Sequence, residues 1–133
     1  GVPLRIGGLA LTFAPMRHYI PAWAIRIEEV ATGRNLTFSA DTGPGAPLAE
    51  FAADTDLLLC ESTILRQEPG TDPVTWGHLT ATEAGEIATA ARARRLVLTH
   101  VWTELGFERY RADAAAAFGG PVDVARSGAV YTI

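Results

Sequence analysis

The sequence predicts one mixed α/β domain spanning residues 1–133, built on a mixed sheet with two main helices. Three observations carry that prediction. Apolar residues alternate with period two through the first third of the chain. Two later runs, 56–60 and 96–99, are apolar without alternation, as in strands buried on both faces. Segments of helical spacing follow each of these runs, so strands and helices alternate in the manner of a parallel sheet. A chain of 133 residues is long enough to enclose a core of its own.

Leu9, Leu11 and Phe13 alternate with smaller residues and open the strand pattern. After a break at residues 15–21 the alternation resumes, with Trp23, Ile25 and Ile27 on one face and Ala24, Arg26 and Glu28 on the other. Thr32-Gly33-Arg34-Asn35 reads as a hairpin-like turn, and residues 36–40 as the returning strand. Pro47 begins a short helix that reaches Ala53, before the apolar strand 56–60. Residues 61–77 read as a polar loop long enough to suggest a functional role. Thr80-Ala81-Thr82-Glu83 has the form of a capping box; behind it Ala84, Ile87, Ala88 and Ala91 share a helix face. The strand 96–99 follows, then a second helix over 108–118 stopped by Gly119-Gly120-Pro121. Short strands at 122–124 and 129–133 complete the expected order.

Hydrophobic residues make up 48% of the chain and charged residues 20%, which fits a globular domain and argues against disorder. No apolar stretch approaches the roughly 20 residues a membrane helix needs. The net charge is −4 and all 11 basic residues are arginine. A cluster at Arg92, Arg94 and Arg95 reads as cationic capping of a helix C-terminus. A nucleic-acid footprint would be a basic stripe on a basic domain, and neither is visible. The single cysteine, Cys60, excludes an intrachain disulfide and points to a reducing compartment. With Gly1-Val2-Pro3 lacking the form of a signal segment, the expected location is cytoplasmic.

Only three histidines occur, His18, His78 and His100, each where a loop meets a strand or helix. Neutral imidazole and ionised carboxylate suit Zn²⁺ and similar ions, so these residues together with Asp41 are candidate ligands. His100 follows the strand 96–99, and ligands gather at the carboxyl ends of such strands. His78 sits two residues before the expected N-cap Thr80, where the helix dipole disfavours imidazolium; it suits a hydrogen-bonding or proton-donating role. Glu61, at another strand end, is placed to orient His78. Asp41 opens Asp-Thr-Gly, which reads as a metal ligand, as half of an aspartic-protease dyad or as an Asx-turn, and the histidines shift the balance away from the protease.

Five segments, taken in order, resemble the motifs of the metallo-β-lactamase superfamily. The run 13–28, centred on Met16-Arg17-His18-Tyr19-Ile20-Pro21, is similar to its third metal motif, and Phe38-Ser39-Ala40-Asp41-Thr42 to its fourth. Leu59-Cys60-Glu61-Ser62-Thr63 resembles the Glu-Ala-Thr segment of the ribonuclease Z branch. Gly77-His78-Leu79-Thr80 resembles that branch's His-Ser-Thr segment, and Leu96-Val97-Leu98-Thr99-His100 the last metal motif. The resemblance implies a pair of zinc ions, with His18 on the first, Asp41 on both and His100 on the second. It implies His78 as a proton-handling residue assisted by Glu61, in a hydrolase that cleaves phosphodiesters with a metal-activated hydroxide.

The superfamily's His-x-His-x-Asp-His motif, which supplies most of the metal ligands, does not occur in these residues. The chain therefore resembles the C-terminal half of an αββα sandwich, expected to be inactive alone and to hold metal partially or not at all. Its substrate class would be a phosphodiester, small molecule or RNA, and its uncovered face is expected to associate, for example as a homodimer. The rival expectation is a non-catalytic interaction or dimerisation module with vestigial ligands.

Overall fold

The computed structural model describes residues 2–64 and 77–133. One seven-stranded sheet runs in chain order: β1 (Leu4–Ile6), β2 (Leu9–Met16), β3 (Ala22–Glu29), β4 (Asn35–Phe38), β5 (Leu57–Glu61), β6 (Leu96–Thr99) and β7 (Val122–Val124). The first four strands pair antiparallel and the last four parallel. Antiparallel neighbours need only tight turns, and Gly33 supplies one with φ +72°. Parallel neighbours need crossovers, made here by α1 (Leu48–Phe51), α2 (Ala81–Ala90) and α3 (Phe107–Phe118). The mixed α/β class expected from the sequence is the class observed.

The helices cover one face of the sheet. Leu58, Cys60, Leu96 and Leu98 point into a shared core with Leu48 of α1, Ala84 and Ala88 of α2, and Tyr110 and Ala114 of α3. Alanine dominates the helical side of this core, so α2 and α3 pack closely. At Gly85 a Cβ would lie 2.5 Å from the Ala114 carbonyl oxygen, which is why a residue without a side chain stands there.

The opposite face is different. Paired residues share a face, so the registers Leu4 with Leu11, Ile6 with Leu9, Phe13 with Ile25 and Pro15 with Trp23 place these side chains together. Leu4, Ile6, Leu9, Phe13 and Trp23 are all exposed. Strand alternation thus builds a second apolar face, exposed over β1 to β3 and buried at Leu57 and Val97.

Four details depart from the sequence reading. β1 was not foreseen: three residues are too short a window for periodicity to register. The break expected from Pro15 starts later, because β2 continues to Met16; β1 pairs only with Leu9, Ala10 and Leu11, leaving Pro15 on an edge where no ladder bond is lost. The strand expected at 129–133 is absent, since the tail is held by side chains: the Arg95 guanidinium lies over the Tyr131 ring and Arg34 donates to the Ile133 carbonyl. The arginine cluster is not a helix cap. α2 ends before it, and Arg92, Arg94 and Arg95 pair instead with Asp54, Asp56 and Asp123. The expected functional loop lies mostly at residues 65–76, outside the described residues.

Candidate metal centre

Topology alone brings the candidate residues together. β2 is antiparallel to β3, and β3 to β4, so β2 runs parallel to β4, β5 and β6. The carboxyl ends of these four strands therefore lie along one edge of the sheet. His18 follows β2, Asp41 follows β4, Glu61 ends β5 and His100 follows β6. His78 arrives at the same edge from the other direction, just before α2. The predicted capping box fixes that approach: the Thr80 side chain accepts from the Glu83 amide, and the Glu83 carboxylate accepts from the Thr80 amide.

The loops that carry these residues touch backbone to backbone. The Gly43 amide donates to the Arg17 carbonyl at 2.7 Å. A Cβ on Gly77 (φ +66°) would sit 2.7 Å from His18 Nδ1, and one on Gly43 would sit 3.0 Å from the Gly77 Cα. Glycine at 43 and 77 is what lets three loops converge. Two non-glycine residues here also hold left-handed backbone, Ala40 at φ +53° and His100 at +57°. Such conformations persist only where the surroundings enforce them, and they gather at sites.

Asp41, His78 and His100 form a donor group whose ligating atoms all lie within 4.8 Å of one another. His18 is outside that group but adjoins it, its ring centroid 4.8 Å from that of His78. The His78 and His100 centroids are 5.5 Å apart. All five residues singled out from the sequence thus meet at one edge. The sequence reading kept His78 apart from the ligand positions; the fold places it with Asp41 and His100.

Each imidazole has its Nδ1 engaged. His18 Nδ1 is 2.8 Å from the Gly77 carbonyl oxygen, and His78 Nδ1 is 3.0 Å from Glu61 Oε1. His100 Nδ1 is 2.8 Å from Thr63 Oγ1 and 3.1 Å from Asp41 Oδ1. Carbonyl and carboxylate oxygens only accept, so in His18 and His78 Nδ1 carries the proton and donates; in His100 it does so because the Thr63 hydroxyl gives its own proton to Glu61 Oε2. Nε2 is then the nitrogen left with a lone pair, the arrangement in which histidines bind metal.

Glu61 organises the floor of the site. It is fully buried, yet each oxygen has donors: Oε1 accepts from the Thr42 amide and His78, Oε2 from the Thr63 amide and hydroxyl. A buried carboxylate persists only when so satisfied. Above it the site opens to solvent, His100 being 50% and Asp41 39% exposed, against 14% for His78. Sequence reasoning gave no individual role to Thr63, Thr42 or Gly77. The signal was present for Thr63, which stands two residues beyond Glu61 at a strand end.

A borderline divalent ion such as Zn²⁺ fits this chemistry, with neutral imidazole nitrogens and one carboxylate converging at a solvent-accessible edge. Comparisons with known proteins give the family. A sequence family described as the beta-lactamase superfamily domain matches residues 1–101. The probable metallo-hydrolase YhfI of Bacillus subtilis is 32% identical over 129 residues, covering 97% of this chain and 51% of that protein. Ribonuclease Z of Thermobifida fusca is 40% identical over 100 residues, covering 73% of this chain and 31% of the relative. The crystal structure of YhfI superposes with a TM-score of 0.86 at 30% identity, over 97% of this chain and 52% of the other. The chain thus spans about half the length, or less, of the curated relatives it matches. By fold, by motif order and by relatives, the chain belongs to the metallo-β-lactamase superfamily.

Proposed function

We propose that this chain carries part of a dinuclear zinc site in a hydrolase that cleaves phosphodiesters. The observation that carries the reading is the convergence of Asp41 and three Nδ1-anchored imidazoles at one sheet edge. His18 and His100 would ligate different ions, with Asp41 between them. Bound there, such ions supply Lewis acidity and ionise water near neutral pH. The kinship with a probable metallo-hydrolase and with ribonuclease Z supports phosphodiester chemistry.

The chain's own residues have separable tasks in this reading. Glu61 holds the Nδ1 proton of His78, so proton exchange with substrate falls to His78 Nε2. That nitrogen carries a lone pair in the neutral ring, so it would first take up a proton from water and then pass it to the departing alkoxide, with the Glu61 carboxylate stabilising the imidazolium in between. The remaining ligands would come from polypeptide beyond these residues, which is why the isolated chain is expected to be inactive. The substrate, a small phosphodiester or RNA, is set by surfaces other than the ligand set. No helix among the described residues is long and apolar enough to cross a membrane; the cytoplasmic location proposed rests on the single free cysteine, Cys60.

The test is hydrolysis of bis-p-nitrophenyl phosphate by the isolated chain with added Zn²⁺, beside a full-length relative. Background rates are expected from the chain and chelator-sensitive turnover from the relative. Equal rates would overturn the claim that ligands are lacking. A second reading, a non-catalytic interaction module, is favoured by the uncovered apolar sheet face. It predicts no bound metal and a stability unchanged by chelator, because only a ligand of the native state stabilises it.

A further inference from the structure

The Thr63 hydroxyl stands between the two halves of this site. Its Oγ1 lies 3.1 Å from Glu61 Oε2 and 2.8 Å from His100 Nδ1. Glu61 can only accept, so the hydroxyl proton goes to the carboxylate and the oxygen's lone pairs face the His100 Nδ1–H. The residue is fixed at both backbone ends. Its amide donates to Glu61 Oε2 at 2.9 Å, and its carbonyl accepts from the Tyr110 hydroxyl at 3.3 Å. Tyr110 is fully buried, and burial pushes its phenol above the ordinary range, so it stays a donor.

We infer that Thr63 is a positioning residue for His100, fixing the ring's orientation and tautomer and tying it to the same buried carboxylate that orients His78. A single carboxylate then sets two imidazoles, one directly and one through a hydroxyl. Asp41 Oδ1 lies 3.1 Å from the same nitrogen as an ion-pair contact, so the hydrogen-bond partner of His100 Nδ1 is the Thr63 hydroxyl. The consequence for metal rests on the reading of His100 as a ligand; the consequence for the ring does not.

The experiment compares the chain with its Thr63→Val and Thr63→Ser variants. Titrated with Zn²⁺ alone, Thr63→Val is expected to bind 10- to 100-fold more weakly, and Thr63→Ser within about threefold of the parent. Full-strength binding by Thr63→Val, or failure of Thr63→Ser to restore it, overturns the inference. In parallel, proton–nitrogen NMR follows the His100 Nδ1–H in an Asp41→Ala background, where the neighbouring carboxylate is gone. That resonance is expected to persist with threonine or with Thr63→Ser and to be lost with Thr63→Val. If the parent binds no Zn²⁺, as a chain lacking most of the ligands can, the NMR comparison decides alone, and an Nδ1–H resonance unchanged in Thr63→Val sinks the positioning role. Should Thr63→Val fail to fold, Tyr110→Phe releases the Thr63 carbonyl and must weaken binding in the same direction; unchanged affinity counts against the inference.

Discussion

Glu61 shows how much one buried carboxylate can organise. Its oxygens serve donors from the loops after β4 and β5 and from the turn before α2, so the site's geometry depends on its charge and shape together. Glu61→Gln keeps the shape but turns an NH₂ group toward donors. The expected outcome is a loss of about 1–3 kcal/mol of stability in urea titration, the usual result of leaving a buried donor unpaired. No loss would mean that solvent already reaches the carboxylate. Cys60, the preceding residue, is an inert core thiol. Burial foremost, and the Glu61 charge second, push its ionisation well above the ordinary thiol range. Ionisation is therefore confined to the unfolded chain. The stabilising effect of the protonated thiol is complete below the unfolded pKa of about 8.5 and declines as pH rises beyond it. A thiol reagent at pH 8 should leave the native chain unmodified and label it fully in denaturant; rapid native labelling would contradict the burial.

Among the elements, α2 was the most legible from sequence, because its signals are local. Thr80 and Glu83 are three apart and cap the same helix turn, and the apolar residues repeat at helical spacing. Thr80→Ala should cost about 1 kcal/mol, read as a lower denaturation midpoint. It should also loosen His78, since the cap fixes the residue two positions away; an unchanged midpoint would show that packing alone holds the turn. The arginines just beyond α2 show the opposite situation. A cationic cluster near a helix end suggests dipole compensation, but the carboxylates that claim these side chains come from residues 54, 56 and 123. Partners so distant in the chain leave no local trace.

For the molecule as a whole, the two faces of the sheet set the behaviour. One face is closed by helices; the other leaves Leu4, Ile6, Phe13 and Trp23 exposed at 53%, 57%, 46% and 54%. An apolar surface of this kind favours association. In sedimentation the isolated chain is expected to self-associate, and Phe13→Lys with Trp23→Lys to shift it toward monomer at unchanged secondary structure. A parent chain that stays monomeric at high concentration would remove the face as an association surface. The chain spans about half the length of two of its curated relatives.

The sequence by itself determined the order of elements from β2 to β7, the change from antiparallel to parallel pairing, and five residues that meet at one sheet edge. These follow from periodicity, caps and short motifs, all written within a few residues of one another. Only the tertiary structure decided that His78 stands with Asp41 and His100, that Thr63 links His100 to Glu61, and that the β1–β3 part of one sheet face remains exposed. Those outcomes depend on strand ends meeting across tens of residues of chain, and on the left-handed turns and glycine contacts that let the loops converge.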